Sequence, residues 1–154
     1  MKICDFLNRD NIFLDLKTGS KKEILEEMVE KMKERGFISN KKTVLNELLT
    51  RESISSTGLE MGIAVPHTLT NEVKNTLVVM ALIKEGMDYE AIDKKLTYIL
   101  LLLLGPKDKP GNQLKLLAHI CRLVKETTIV EKLKKADSPE EICALFKQEE
   151  RKIE

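Results

Sequence analysis

Tryptophan is absent from the sequence, and aromatic residues make up only 4% of its 154 residues. Proteins that bind single-stranded nucleic acids stack the bases on aromatic side chains, so this class of protein is disfavoured. An excess of one charge is also missing, because 26 Lys and Arg stand against 25 Asp and Glu and leave a net charge of +1. Without a basic patch or an acidic tail, we expect no nucleic-acid partner.

Cysteine is scarce as well: Cys4, Cys121 and Cys143 lie far apart and form no CxxC pair. An odd number without regular spacing argues against a disulfide framework or a zinc site, and there are only two histidines to add to a metal cluster. We therefore expect no metal and no cofactor. Cys121 and Cys143 fall at apolar helical positions and are predicted to be core thiols, whereas Cys4 is predicted to lack an activating neighbour.

Long hydrophobic runs are missing too. The longest, at residues 98–104, is far short of the roughly 20 residues that span a bilayer. The N-terminus, MKICDFLNRD, has charged residues too early for the apolar core of a signal peptide. These features predict a cytoplasmic protein without direct insertion into a membrane.

Helical and strand-like segments alternate along the chain. Four helices are predicted. The first begins at Ser20, which forms a capping box with Glu23, and ends at Gly36; the second runs from Ser39 or Asn40 to about Arg51. The third covers 112–125, and the fourth begins at Asp137 or Ser138. Strands are predicted at 11–16, 62–65, 76–83 and 96–104, the last two being nearly continuous apolar runs of the kind that is covered on both faces. The pattern predicts one α/β domain, residues 1–154, with four or five strands between helices.

His67 is the first candidate for chemistry. It follows Ala64-Val65-Pro66 directly, so the chain is expected to leave a short strand at the proline and to present His67 on a stiff loop at the sheet edge. Upstream hydroxyls and glycines, at Ser55, Ser56, Thr57, Gly58 and Gly62, offer donors and close backbone approach to an anion. A neutral imidazole beside such donors suits phosphoryl transfer. The spacing alone leaves an ordinary loop histidine as the alternative.

Three motifs favour the phosphoryl-transfer interpretation of His67 over that of an ordinary loop histidine. They are Leu49-Thr-Arg-Glu52, Ser56-Thr-Gly58 and Gly62-Ile-Ala-Val-Pro-His67. They resemble the signature of the fructose/mannitol-type (type 2) enzyme IIA domains of bacterial phosphotransferase systems, a group that includes nitrogen-related IIA proteins. The likeness continues through Tyr89-Glu-Ala-Ile-Asp93 and Leu114-Lys-Leu-Leu117, and it covers about residues 3–148 in the order of the family. The resemblance implies a mixed sheet of about five strands flanked by helices on both faces.

The resemblance also implies a function. His67 would accept a phosphoryl group from the phosphohistidine of the histidine-containing phosphocarrier protein and pass it to a IIB component of a sugar permease, as an enzyme with a phosphohistidine intermediate. Arg51 matches the active-site arginine of the family, and a guanidinium suits the clamping of phosphoryl oxygens. Ser56, Thr57 and Gly58 would bind the phosphate. From the residues alone, Arg51 could equally be a solvated helix-end cation.

Two positions depart from the family. Gln113 stands where the family usually has a second histidine. It could donate to His67 or its phosphate, or it could bond a nearby carbonyl as an ordinary helix-start residue. Glu60 and Met61 replace a glycine and a small or polar residue, and we expect Glu60 to point to solvent. His119, six residues after Gln113, is predicted to be a surface histidine on the polar face of its helix.

A regulatory protein is the rival interpretation. In nitrogen-related members, the phosphorylation state would bias binding to a partner without feeding a sugar. The residues do not distinguish sugar uptake from regulation, and they indicate neither the sugar nor the oligomeric state.

Overall fold

The structure, a computed structural model, describes residues 1–17 and 19–154. In chain order its elements are β1 (Ile12–Phe13), α1 (Lys21–Glu34), α2 (Lys41–Ile54), β2 (Ile63–Ala64), β3 (His67–Thr70), β4 (Leu77–Met87), β5 (Thr97–Pro106), α3 (Pro110–Glu126), α4 (Ile129–Lys134) and α5 (Pro139–Arg151). Two short 3-10 turns, Ile3–Asp5 and Arg9–Asn11, precede β1.

The five strands form one mixed sheet. β4 and β5 lie antiparallel at its centre, β1 pairs in parallel with β4, and both β2 and β3 pair in parallel with the other edge of β5. The prediction of a single α/β domain with a mixed sheet of about five strands is confirmed.

The two central strands explain the apolar runs in the sequence. Alternate residues of β5 point to opposite faces, so that Leu101 and Leu103 pack with α3, α4 and α5, while Leu100 and Leu102 pack with α1 and α2. β4 divides in the same way, and the side chains of both sets are buried. Because helices cover both faces of the sheet, both sets of side chains are apolar, and the strand reads as a continuous hydrophobic run.

The strand predictions were wrong at two places. The stretch 11–16 contributes only Ile12 and Phe13, because Asn11 belongs to a 3-10 turn and its side-chain amide donates to the carbonyls of Phe6 (2.7 Å) and Val78 (2.9 Å). The chain after Pro66 is not a loop but strand β3. Its sequence, HTLT, is short and has one apolar residue, Leu69, so it shows no clear hydrophobic period; it forms a strand by pairing with β5.

The helices are close to their predicted positions. The Ser20–Glu23 capping box is present, and Asn40 and Ser138 cap α2 and α5 with their side chains. Pro110, predicted to lie in a loop, is instead near the first turn of α3, where a residue without an N–H costs no helical bond. The short helix α4 was not predicted. In the described part of the chain, no helix is long and apolar enough to span a membrane.

Glu150 of α5 anchors the N-terminal segment. Its buried carboxylate accepts the backbone N–H of Ile3 (2.7 Å) and of Cys4 (2.9 Å), and it contacts Nε2 of His119 at 2.5 Å. The prediction of a surface role for His119 is therefore wrong, since its ring is partly buried against this carboxylate. Burial, with Glu150 nearby, raises the pKa of the Cys4 thiol, which agrees with its predicted inertness.

The other two cysteines differ from each other. Cys121 is exposed, so its prediction as a core thiol was wrong; it lies on the outer side of α3, between buried Ile120 and exposed Arg122. Cys143 is partly buried against the apolar cluster beneath α3, α4 and α5, and burial raises the pKa of its thiol.

Candidate functional site

His67 is the first residue of β3 and stands opposite Leu103 of β5. The carbonyl of Pro66 accepts the N–H of Leu103 at 2.9 Å. Proline has no backbone N–H to donate, but its carbonyl still bonds to β5, so the chain remains part of the sheet at this residue. The imidazole is half-buried. The prediction of a loop position is replaced by one in which the sheet itself holds the backbone of His67.

The ring of His67 is oriented by a backbone carbonyl. Nδ1 lies 2.7 Å from the carbonyl oxygen of Val65, two residues earlier in the chain. Because a carbonyl can only accept a hydrogen bond, Nδ1 carries the proton in the neutral ring, and Nε2 carries the lone pair. The geometry therefore selects Nε2 as the nucleophilic atom.

The surroundings of His67 favour its neutral form. Burial has the largest effect and lowers the pKa of the imidazole, and the positive charge of Arg51 also lowers it. The bond to Val65 and the negative charge of Glu52 raise the pKa, but the net result is a lowered pKa. An imidazole with a lowered pKa is unprotonated at neutral pH and keeps the lone pair that attack on phosphorus requires.

Arg51 lies in the last turn of α2 and is partly buried. Its Nη1 donates to the carbonyl of Ser55 at 3.1 Å, which uses one of the five N–H donors of the guanidinium. The positive charge of Arg51 is near enough to lower the pKa of His67. Arg51 is thus a helix-end cation that holds the following loop; a direct role at the histidine stays a prediction.

The loop of Ser56, Thr57 and Gly58 is already strongly hydrogen-bonded. The N–H of Gly58 donates to Oγ of Ser56 (3.0 Å), and both the N–H and the hydroxyl of Thr57 donate to the carboxylate of Glu52. A Cβ added to Gly58 would lie 2.9 Å from Cα of Ala91, so close packing is sufficient reason for a glycine there. Thr57 is connected to the segment that precedes His67, because its carbonyl accepts the N–H of Val65 at 2.9 Å; the binding of phosphate by the three residues stays a prediction.

Sequence reasoning gave no role to three residues of this region: Lys21, Glu52 and Tyr89. Nζ of Lys21 and the hydroxyl of Tyr89 each lie 3.0 Å from the carboxylate of Glu52, which is buried. Signals existed for two of them, because Glu52 and Tyr89 stand in motifs that carry the resemblance, and Glu52 follows buried Val44 and Leu48 at helical spacing. The partners of Glu52 lie 31 and 37 residues away in sequence, so their contact with it could not be read locally.

Gln113 lies in the first turn of α3 and is 6% exposed. Its Nε2 donates to the carbonyl of Thr68 at 2.9 Å. Of the two interpretations of this residue, the structure matches the bond to a nearby carbonyl, and that carbonyl belongs to the residue that follows His67. Gln113 thus connects α3 to the strand that carries the histidine.

The second departure from the family is a tight turn. Glu60 is exposed, as expected. Met61 has φ of 70° and Gly62 has φ of 84°, a conformation that glycine adopts without strain and methionine does not. Within residues 1–17 and 19–154, no cluster of three or more His, Cys, Asp or Glu side chains is arranged to hold a metal ion.

Several known proteins are similar to this chain over most of its length. A nitrogen regulatory protein of Bradyrhizobium diazoefficiens is 30% identical over 146 residues, which cover 95% of each chain. The fructose-specific EIIABC component of a phosphotransferase system from Bacillus subtilis is 28% identical over 151 residues; the alignment covers 98% of this chain but spans about a quarter, 24%, of that protein.

Solved structures agree with these relatives. The crystal structure of the nitrogen regulatory protein IIA-Ntr from Neisseria meningitidis has 30% sequence identity and a TM-score of 0.84, and the match covers 94% of this chain and 98% of that one. The mannitol IIA of Escherichia coli has the same fold, with 22% identity, a TM-score of 0.76, and coverage of 91% and 98%.

Residues 5–149 match the family described as "Phosphoenolpyruvate-dependent sugar phosphotransferase system, EIIA 2". This match takes in all the site residues described above, from Lys21 to Gln113. The chain therefore belongs to the EIIA 2 family of the phosphoenolpyruvate-dependent sugar phosphotransferase system.

Proposed function

We propose that this member of a phosphoryl-carrier family carries its phosphoryl group on Nε2 of His67. The observation that supports the proposal is the 2.7 Å contact between Nδ1 of His67 and the carbonyl of Val65, which leaves the lone pair on Nε2. The lowered pKa of the imidazole keeps that lone pair available at neutral pH. The donor would be the phosphohistidine of the phosphocarrier protein, and the acceptor a cysteine or histidine of a IIB component. These partners imply a cytoplasmic protein.

The transfer step needs no proton to move at His67. A bond forms between Nε2 and phosphorus while the nitrogen–phosphorus bond of the donor breaks, and the electron pair of that bond returns to the donor ring. The ring of His67 then carries phosphorus on Nε2 and a proton on Nδ1, and is cationic. The carbonyl of Val65, which accepts from Nδ1, stabilises this charge because hydrogen bonds from charged donors are stronger than neutral ones.

Arg51 and the adjacent loop have complementary roles in this proposal. The guanidinium of Arg51 would contact the phosphoryl oxygens as charge shifts from one ring to the other, which is the electrostatic task that a preorganised donor performs best. The hydroxyl of Ser56 would be an additional donor to the phosphate, with Thr57 and Gly58 holding it in position. Gln113 would steady β3 through its bond to the carbonyl of Thr68.

For the downstream step we propose delivery to a IIB component in sugar uptake of the fructose/mannitol type. The fructose-specific EIIABC component of B. subtilis and the fructose-specific EIIA component of Haloferax volcanii, both 28% identical, support this proposal. An E. coli mannitol IIA of the same fold has been solved in a complex with phosphorylated IIB, which indicates the kind of acceptor to test.

A regulatory role is the second candidate, and a specific observation favours it. The nitrogen regulatory proteins of B. diazoefficiens and N. meningitidis match this chain almost from end to end, at 30% identity. In this case the phosphorylated and unphosphorylated forms would differ in their affinity for a regulated partner, and His67 would be loaded by the same chemistry.

The test is incubation with phosphoenolpyruvate labelled with ³²P, enzyme I and the phosphocarrier. We expect acid-labile label on the wild type and no label on His67→Ala, with both proteins folded. His119→Ala is the matched control and should accept label like the wild type, because His119 lies against Glu150 and away from the site. Acid-labile label on His67→Ala would contradict the assignment.

Discharge of the labelled protein separates the two candidate functions. Label that passes to a fructose- or mannitol-type IIB domain within seconds supports sugar uptake. Label that is retained in the presence of each IIB domain supports the regulatory role.

A further inference from the structure

Glu52 is a buried charged group that the mechanism above does not use. Only 8% of the residue is exposed, and its carboxylate receives four donors from three parts of the chain. Nζ of Lys21 at the start of α1 and the hydroxyl of Tyr89 after β4 each donate at 3.0 Å, while Thr57 donates through its N–H (3.2 Å) and its hydroxyl. Burial and the nearby charge of Glu52 raise the pKa of Tyr89, so the phenol keeps the proton that it donates.

A series of hydrogen bonds through Thr57 and Val65 connects this carboxylate to the imidazole of His67. Glu52 holds Thr57, and the carbonyl of Thr57 accepts the N–H of Val65 at 2.9 Å. The carbonyl of Val65 in turn accepts Nδ1 of His67. The group that selects the tautomer of His67 is therefore only two hydrogen-bonded steps from Glu52.

The same carboxylate also helps to hold the loop that follows α2. Glu52 follows Arg51 in the last turn of α2, and Arg51 bonds the carbonyl of Ser55. The short loop between α2 and β2 is thus held near its beginning by Arg51 and two residues later by Glu52. A displaced carboxylate would release Thr57, and with it both the loop beside the phosphoryl group and the carbonyl of Val65.

We propose that Glu52, held by Lys21 and Tyr89, is a positioning residue that sets the orientation of His67 through Thr57 and Val65. The proposal rests on the phosphoryl-carrier function of His67, and it assigns to Glu52, Lys21 and Tyr89 a role in the rate of transfer. Stability alone is a poor explanation for the cluster, because a buried ion pair contributes little compared with apolar residues of similar volume.

The test compares two conservative substitutions of buried carboxylates. Glu52→Gln keeps the shape and removes the charge. Glu149→Gln is the matched control, because Glu149 is also buried and bonds two lysines, Lys132 at 3.0 Å and Lys152 at 2.7 Å, but belongs to α5 on the other face of the sheet. Both variants are checked for cooperative thermal unfolding before any activity is measured.

Two readouts distinguish positioning from stabilisation. In Glu52→Gln we expect kcat for transfer from the phosphocarrier to fall about 10- to 100-fold, the usual result of misplacing a reacting group, with KM nearly unchanged. We also expect NMR titration to give a lower pKa for His67. The charge of Glu52 raises this pKa and that of Arg51 lowers it, so removing the charge of Glu52 leaves the effect of Arg51 unopposed. Glu149→Gln should change neither quantity.

Two further variants decide the matter even if Glu52→Gln fails to fold. Tyr89→Phe and Lys21→Met each delete one donor to the carboxylate and keep most of the side-chain volume. Each should slow transfer about two- to tenfold, the rate equivalent of one hydrogen bond. Wild-type rates in both, or equal losses in Glu149→Gln, would overturn the proposal.

The outcomes also separate this proposal from the function on which it rests. If the wild type takes up no label, the proposed function fails, while ¹⁵N NMR of the His67 ring, in wild type and Glu52→Gln, still reports whether Glu52 controls the tautomer. If the wild type is labelled and a folded Glu52→Gln matches it in rate and in the titration of His67, only the positioning role is refuted.

Discussion

Replacing Gln113 with leucine tests how the strand that carries His67 is held. Gln113 is 6% exposed, and its Nε2 donates to the carbonyl of Thr68 at 2.9 Å. The amide is closely packed, since a Cβ added to Gly105 would lie 3.3 Å from this nitrogen. Leucine has a similar volume and no donor, so Gln113→Leu removes the hydrogen bond to the carbonyl of Thr68.

The expected cost is that of one hydrogen bond, because Thr68 is half-buried and its strand stays paired with β5. The loss of one intramolecular hydrogen bond costs about 0.5–1.5 kcal/mol of the free energy of unfolding. In a domain of this size, 1 kcal/mol corresponds to roughly 2–4 °C in Tm. We therefore expect Gln113→Leu to melt about 2–4 °C below the wild type, at the midpoint of that range of energies.

The assay is thermal unfolding followed by circular dichroism, with Leu114→Gln as the control. Leu114 is the next residue of α3 and is 70% exposed, so its substitution should change stability by no more than about 0.5 kcal/mol. A leucine variant at position 113 that melts with the wild type would refute the account of the bond to Thr68.

Phosphohistidine hydrolysis at pH 6 and pH 8 tests whether position 113 acts by charge. We expect Gln113→His to be nearly neutral at both pH values, because the amide already supplies the hydrogen bond. If a cationic ring were the requirement, this variant would instead stabilise phosphorylated His67 more at pH 6 than at pH 8, since the pKa of histidine is about 6.5. Wild-type transfer and hydrolysis in Gln113→Leu would exclude Gln113 from the phosphoryl chemistry.

Arg51→Ala should slow label uptake from the phosphocarrier about 10- to 1000-fold with little change in Tm, because it removes one charge-stabilising donor; an unchanged rate in a steady-state assay would leave Arg51 only its contact with Ser55. The rate of label uptake should be constant from pH 8 to pH 7 and fall only below about pH 6.5. The reason is that the lowered pKa of His67 keeps Nε2 unprotonated at pH values where an ordinary histidine is already partly protonated. A half-maximal rate above pH 6.5 would contradict this. Glu150→Gln should lower the free energy of unfolding in urea by about 1–3 kcal/mol, because the anionic acceptor of Ile3, Cys4 and His119 is lost; an unchanged urea midpoint would show that the N-terminal segment does not depend on it.

The sequence predicted those parts of the fold that local patterns encode. The capping box at Ser20 predicted the start of α1, and the apolar runs predicted β4 and β5. β3 was missed because HTLT becomes a strand only by pairing with a segment more than 30 residues later. Helix α4 was missed because six residues are too few for a clear period.

The residues of the candidate site likewise fall into those that local sequence patterns indicated and those that depend on contacts between distant segments. His67 and Arg51 were proposed from contiguous motifs and from the resemblance to the family, and Gln113 from its departure from that family; the structure gives each of them a hydrogen-bond partner. The acceptor of Nδ1 and the cluster of Glu52, Lys21 and Tyr89 were not predicted, because they join segments that are distant in sequence. The local signals were the position of Glu52 on the inner face of α2 and the presence of Glu52 and Tyr89 in motifs that resemble the family.

The attachment of His67 to the sheet bears on how another molecule could detect its phosphorylation. The backbone around His67 is bonded to β5 and, at the next residue, to Gln113, and Nδ1 already has a hydrogen-bond partner. On the function proposed above, a phosphoryl group on Nε2 would alter the electrostatic potential around His67 without requiring a segment to fold or swing. A partner that distinguishes the two forms would then respond to charge rather than to shape, and its preference would weaken as ionic strength rises.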